Sequence, residues 1–244
     1  MALKTNCFSI NSYNQASEIV SICKKKNKVP LVTRLQNINL DDVFCVTFTS
    51  GTTGVPKGIA HTVRSLLSAA VAFNSSMLIG ETSRYLHILP MSYMAGILNT
   101  IICPFVAGAS IVLYRTFDAK FAREIWDVVK GNKINTLWIT PTIVASILKL
   151  DRSTAGEQYC RLMNMTICVG TAPLTVQIKK EFEERYGVTI SESYGLSEVL
   201  FVTTSPPDML QEPSSAGKIL DSITWTVSYT HLRAHETRHE LVCR

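Results

Sequence analysis

The sequence predicts an α/β fold, with largely parallel sheets flanked by helices. Two observations predict it. Short apolar segments of strand character alternate along the chain with longer segments whose apolar residues recur at helical spacing. Over 244 residues, 46% are hydrophobic and only 18% are charged, a balance that builds a core and excludes a disordered chain.

Taken in order, residues 44–49 form the first strand candidate, and a helix is expected from about 62 to 77. A strand at 85–89, a helix at 94–105 and a strand at 109–114 follow. Residues 88–114 carry no charge, a length that raises the question of a membrane span. Pro90, Asn99, Pro104 and Gly108 interrupt the run, so a buried helix followed by a buried parallel strand fits better, and no transmembrane segment is expected. Asp118 is placed to cap a helix whose one face collects Phe121, Ala122, Ile125, Trp126 and Val129. Residues 136–139 read as a strand, and Pro141 suits the first turn of a helix over 142–150. After a strand at 165–169, Leu174, Ile178, Phe182 and Tyr186 recur every four residues along a charged helix.

The net charge of +5 is modest and its basic residues are spread out, which argues against a nucleic-acid partner. The dense run Lys24-Lys25-Lys26-Asn27-Lys28 follows an apolar segment and reads as a solvated helix end. Seven cysteines, an odd number without a C-x-x-C pair, sit mostly in apolar segments and suggest reduced thiols in a cytoplasmic protein. Residues 1–15 are polar throughout and hold no signal peptide.

The chemistry concentrates in Thr49-Ser50-Gly51-Thr52-Thr53-Gly54-Val55-Pro56-Lys57-Gly58, directly after a strand. Glycines let a backbone approach phosphate closely, and successive N–H groups in tight turns form an anion-binding concavity. Ser50, Thr52 and Thr53 add hydroxyls, and Lys57 adds a mobile positive charge. The Walker pattern is excluded, because Pro56 precedes Lys57 and Gly58 follows it. Two further motifs follow, Gly170-Thr171-Ala172-Pro173-Leu174 and Tyr194-Gly195-Leu196-Ser197-Glu198.

In these three motifs and their order, over roughly residues 40–220, the chain resembles the adenylate-forming superfamily of acyl-CoA synthetases, peptide-synthetase adenylation domains and beetle luciferases. The resemblance implies part of the large N-terminal domain of an enzyme that activates a carboxylic acid with ATP as an acyl-adenylate, then makes a CoA thioester. It implies that Thr49, Ser50, Gly51, Thr52, Thr53, Gly54 and Lys57 hold the outgoing phosphates, and that Glu198 holds Mg²⁺ with phosphate oxygens. Ser197 stands where threonine is commoner and would contact the α-phosphate; Gly170, Thr171, Ala172 and Pro173 would lie along the adenine, Tyr194 would stack on it, and Gly195 belongs to the same nucleotide-binding set. Lys57 and Glu198 are the catalytic candidates. Tyr93, Met94 and Gly96 fall in the segment that walls the acid pocket, with Tyr93 where many acyl-CoA synthetases carry histidine. No acidic residue lies between Glu81 and Asp118, so the aspartate partner of an amino-acid substrate is missing there and a fatty or aryl acid is expected. A carrier-protein-loading adenylation domain and a non-catalytic nucleotide-binding remnant remain as alternatives.

Residues 1–225 therefore read as a partial AMP-binding domain. The family's Thr-Gly-Asp motif, hinge and late lysine do not follow Gly217-Lys218, and only about forty residues precede the phosphate loop, so the chain alone is expected to be inactive. Residues 226–244 contain His235-Glu236-Thr237-Arg238-His239, a zinc-protease pattern, with His231, His235 and His239 spaced four apart. That segment lacks an apolar face and resembles translated sequencing adapter, a non-native tail. Long-read sequencing of the native locus across the Trp225 codon is expected to continue into Thr-Gly-Asp; native coding of residues 227–244 would reverse this reading.

Overall fold

The computed structural model describes residues 39–49, 57–209 and 215–224. The chain divides between Asp42 and Val43; only residues 39–42 of the first part are described, and the fold belongs to the second. The apolar run at 19–23, the lysine run that follows it and the histidine-rich tail lie outside the described residues.

Strands β1 (Val43–Thr49) and β2 (Lys57–Thr62) pair antiparallel, with Thr49 directly opposite Lys57. The glycine-rich segment thus joins two residues of one ladder. Its last two residues, Lys57 and Gly58, are strand rather than loop, because both pair with β1. Ser50, Gly51, Thr52, Thr53 and Gly54 lie outside the described residues.

Thr62 ends β2 and caps helix α1 (Val63–Met77), its hydroxyl accepting the Ser65 N–H at 3.1 Å. Leu66, Ala70, Phe73 and Met77 follow helical spacing and are buried along one face. Strand β3 (Arg84–His87) is shorter than the expected 85–89. The helix expected at 94–105 is π-helical over Ala95–Ile102 and becomes α-helical only in the short α2 (Cys103–Val106). Strand β4 (Ser110–Leu113) follows.

Asp118 does accept an N–H, from Phe121 at 2.7 Å, but it caps a 3₁₀ turn (Phe121–Arg123). Helix α3 (Ile125–Gly131) begins only after Glu124. All five expected core residues, from Phe121 to Val129, are buried across the break. The remaining elements are β5 (Thr136–Ile139), α4 (Pro141–Leu150), α5 (Ala155–Leu162), β6 (Thr166–Val169) and α6 (Val176–Tyr186), then β7 (Ile190–Leu196), β8 (Leu200–Thr204) and β9 (Lys218–Ile219). Thr140 and Thr175 cap α4 and α6, and Pro141 takes the first position of α4, where its missing N–H costs nothing.

The large sheet has the order β4-β3-β5-β6-β7-β8-β9. Its first five strands are parallel, while β8 and β9 add antiparallel at one edge. The expected parallel sheet is therefore present, with an antiparallel edge that the apolar pattern did not announce. Helix α5 was also missed, since it is polar overall and buries only Gly156, Tyr159 and Cys160.

One continuous core holds Trp126, Trp138, Tyr85, Tyr186, Phe73, Phe121 and Phe182. Asp151, 1% exposed, lies beneath them, accepting from the Tyr186 hydroxyl at 2.8 Å and from Arg185 at 3.2 Å. Burial pushes the thiols of Cys160 and Cys168 up to about 12, so both are protonated at neutral pH. Cys45, Cys103, Cys160 and Cys168 are all unbridged, while the other three cysteines lie outside the described residues. Among the described residues no helix is long and apolar enough to cross a membrane.

His87, on β3, is tied to the π-helix. Its Nδ1 lies 2.6 Å from the Thr100 hydroxyl, which itself donates to the Gly96 carbonyl at 2.9 Å. The hydroxyl has one proton and spends it on Gly96, so Nδ1 of His87 is the donor. Burial holds the His87 pKa below the ordinary imidazole value, and burial lowers that of His61 too. A lowered folded-state pKa means that the unfolded chain takes up protons first as pH falls. Stability should therefore be full above the ordinary imidazole range and be lost as pH drops through it. Thermal melts across that range check this, and His87→Gln should remove part of the slope.

Candidate nucleotide and acid site

A cleft of about 340 Å³ opens where the parallel strands β3, β5, β6 and β7 deliver their C-terminal ends. This is where open α/β sheets hold their ligands. Thr49, the last residue of β1, lines it, as do Tyr93 and Met94 from the segment after β3. The turn after β6 contributes Thr171, the end of β7 contributes Gly195, and the β7–β8 turn contributes Ser197 and Glu198. Expected site residues from four separate sequence segments thus meet in one cavity.

Local structure explains how. Gly170 ends β6 because nothing larger fits: a Cβ there would lie 2.8 Å from the Ser193 carbonyl oxygen and 3.0 Å from Trp138. Thr171 next to it has φ +76°, and Leu200 across the cleft has φ +68°. Both are non-glycine residues in the left-handed region, and both line the cleft, the kind of place where backbone strain gathers. Ser193 and Gly195 of β7 both line the cleft, as does Leu196, and the ladder with β8 shifts register between Tyr194 and Gly195.

Other expected residues are placed elsewhere. Tyr194, between those two, is 48% exposed and does not line this cleft. Lys57 is exposed at the start of β2 and lies outside the lining, as do Ala172 and Pro173 beyond the turn. Gly96 is buried and serves packing: a Cβ would collide with the Pro90 carbonyl, so the glycine lets the π-helix pass against the segment that carries Tyr93.

Several lining residues had no motif to reveal them. Trp138, Leu98 and Phe201 belong to apolar segments that read as ordinary core, and Ser193 sits in a strand that went unrecognised. Asn99 was visible only as a polar break in an apolar run.

Glu198 is the one charged side chain lining the cleft among the described residues, and it makes no hydrogen bond or ion pair with any of them. No cluster of three metal-binding side chains occurs among the described residues. A single free carboxylate beside a nucleotide cleft fits Mg²⁺, which takes one or two carboxylates and completes its shell with phosphate oxygens and water.

Parallel strands presenting glycine- and hydroxyl-rich turns to one cleft define an α/β domain of the ligand-at-the-sheet-end class. More particularly, the chain belongs to the AMP-binding enzyme family, which it matches over residues 5–231. It is 30% identical over 194 residues to 2-succinylbenzoate–CoA ligase of Bacillus licheniformis, covering 78% of this chain and 38% of the relative. It is 30% identical over 162 residues to sulfoacetate–CoA ligase of Cupriavidus necator, covering 66% and 30%. It is 26% identical to the mitochondrial malonate–CoA ligase ACSF3 of Mus musculus, covering 72% and 32%. The fold is shared with ATP-bound MatB of Rhodopseudomonas palustris, at a TM-score of 0.65 and 24% identity over 75% of this chain and 35% of that one. The chain thus spans about a third of the length of these curated relatives.

Gly96→Ala should lower stability by about 1–3 kcal/mol, the usual cost of overpacking. A thermal melt of the variant checks this, and an unchanged midpoint would show that the Pro90 segment yields freely.

Proposed function

We propose that this chain is part of an acid–thiol ligase that activates a carboxylic acid with ATP and passes the acyl group to CoA. The convergence of Thr49, Tyr93, Met94, Thr171, Ser197 and Glu198 on one cleft supports this reading above all. In the reaction a carboxylate oxygen attacks the α-phosphorus, the bond from that phosphorus to the bridging oxygen breaks, and pyrophosphate leaves with the electron pair. The CoA thiolate then attacks the acyl carbon, and AMP leaves.

The residues of this chain have parts in that sequence. Thr49 to Gly54 and Lys57 would hold the outgoing phosphates, with Lys57 placed by its pairing opposite Thr49. Ser197 would donate to the α-phosphate, and the Gly170–Pro173 turn with Tyr194 and Gly195 would take the adenine. Glu198 with phosphate oxygens would hold Mg²⁺, which neutralises phosphate charge when bound. Tyr93 and Met94 would wall the acid.

The relatives' named acids, malonate, sulfoacetate and 2-succinylbenzoate, each bear a second anionic group. No lysine, arginine or histidine among the described residues lines this cleft to meet such a group. That supports a fatty or aryl acid with an uncharged tail. The four unbridged thiols support a cytoplasmic location.

In the product of the complete reading frame, ATP–pyrophosphate exchange should depend on a fatty or aryl acid and fail with amino acids. Glu198→Gln should reduce that exchange on the order of a hundredfold. Exchange driven by amino acids alone would overturn the reading.

A further inference from the structure

Asn99 is the one side-chain amide on the cleft wall among the described residues. It is 4% exposed and sits on the π-helix among Ala95, Leu98 and Met94, with Phe201 and Trp138 also lining the cleft. The π-helix widens the turn, and such segments concentrate at functional sites. The Asn99 amide makes no hydrogen bond to any described residue. It is also absent from the polar atoms that are sealed in the core without a partner, which include Asn74 Oδ1 and Trp138 Nε1. Its amide therefore meets the open space of the cleft, where an NH2 group and a carbonyl oxygen are free to pair with a ligand.

A buried amide with no protein partner is costly unless a ligand or water satisfies it. Ala95, Leu98 and Met94 beside it are apolar, Tyr93 adds a hydroxyl at the start of this wall, and neither a cation nor a second amide among the described residues lines the cleft. The nucleotide-directed groups Thr171, Ser197 and Glu198 come from the β6 and β7 ends instead. The acid's tail is then the part of the ligand that the π-helix faces.

We propose that Asn99 is a specificity-determining residue that selects an acid whose otherwise apolar, uncharged tail bears one hydroxyl, carbonyl or amide group. This rests on the acid-activation reading above and adds the chemistry of the tail. A site built to hydrogen-bond a substituent discriminates strongly against the analogue lacking it, because its own polar group is then left unpaired.

The test uses the product of the complete reading frame and matched pairs of aryl and medium-chain acids, each with and without a hydroxyl or keto group on the tail. ATP–pyrophosphate exchange is measured for each acid, with ATP binding as the check on folding. The intact enzyme should favour the substituted member of at least one pair by about tenfold or more. Asn99→Leu should bring that ratio close to one or invert it, and Asn99→Ser, a smaller hydrogen-bonding replacement, should retain part of the preference. A ratio near one in the intact enzyme overturns the proposal. So does a ratio untouched by Asn99→Leu in a variant that still binds ATP, including the case where all acids lose exchange equally because Asn99 serves the carboxylate. Should Asn99→Leu fail to bind ATP, Asn99→Ser decides by the same ratio. If no acid supports exchange while ATP still binds, the acid-activation reading itself fails, and the specificity proposal falls with it.

Discussion

The site depends on a close approach at the end of β6. Gly170 leaves room for Trp138 from β5 and Ser193 from β7, and any side chain there would have to occupy the same space. Three adjacent parallel strands thereby end together, and the turns that follow them open onto one cleft. Thr171 leaves this point with a left-handed backbone, and Leu200 answers from the far side of the hairpin. Such backbone positions persist only where the surrounding packing over-determines them. Here the fully buried Trp138 and the stacked pair Phe73–Phe201, 4.2 Å between centroids, supply that packing.

The second wall is held by different means. The segment after β3 carries Tyr93 and Met94 into a π-helix whose position is set by Gly96 against Pro90 and by Thr100 against His87. Both contacts tie the wall to the β3 side of the sheet. The wall carrying Tyr93 and the turns after β6 and β7 are thus anchored to strands of the same sheet, with β5 between them.

Two ion pairs, each with one buried partner (Lys179 and Asp151), tie this frame together without entering the site. Lys179 on α6 meets Glu192 at 2.9 Å, one residue before Ser193, and so ties a helix to the strand that carries the β7 turn. Arg185 and Tyr186 share the buried Asp151 between α6 and the end of α4. Removing one partner of such a pair costs about 3–5 kcal/mol, because the other is left uncompensated in the interior. Their value is positional, since neither pair lines the cleft.

The sequence by itself predicted the fold class and the core faces of two helices, and through its family resemblance it proposed Thr49, Thr171, Ser197 and Glu198, which the fold brings to one cleft. The first two follow from short-range rules of spacing, and the resemblance from motifs, which local residues carry in full. Tertiary structure decided the rest. It placed Gly96 in packing and brought Trp138, Ser193 and Phe201 to the cleft. It also put Asn99, a polar break in an apolar run, on the wall of that cleft. Whether an apolar residue faces core or cavity depends on what the neighbouring strands bring opposite it. The antiparallel β7–β8 edge was hidden for a related reason. Ser191, Glu192 and Ser193 give that strand little apolar pattern, and its pairing with β8 is carried by ladder hydrogen bonds rather than by an alternating apolar face.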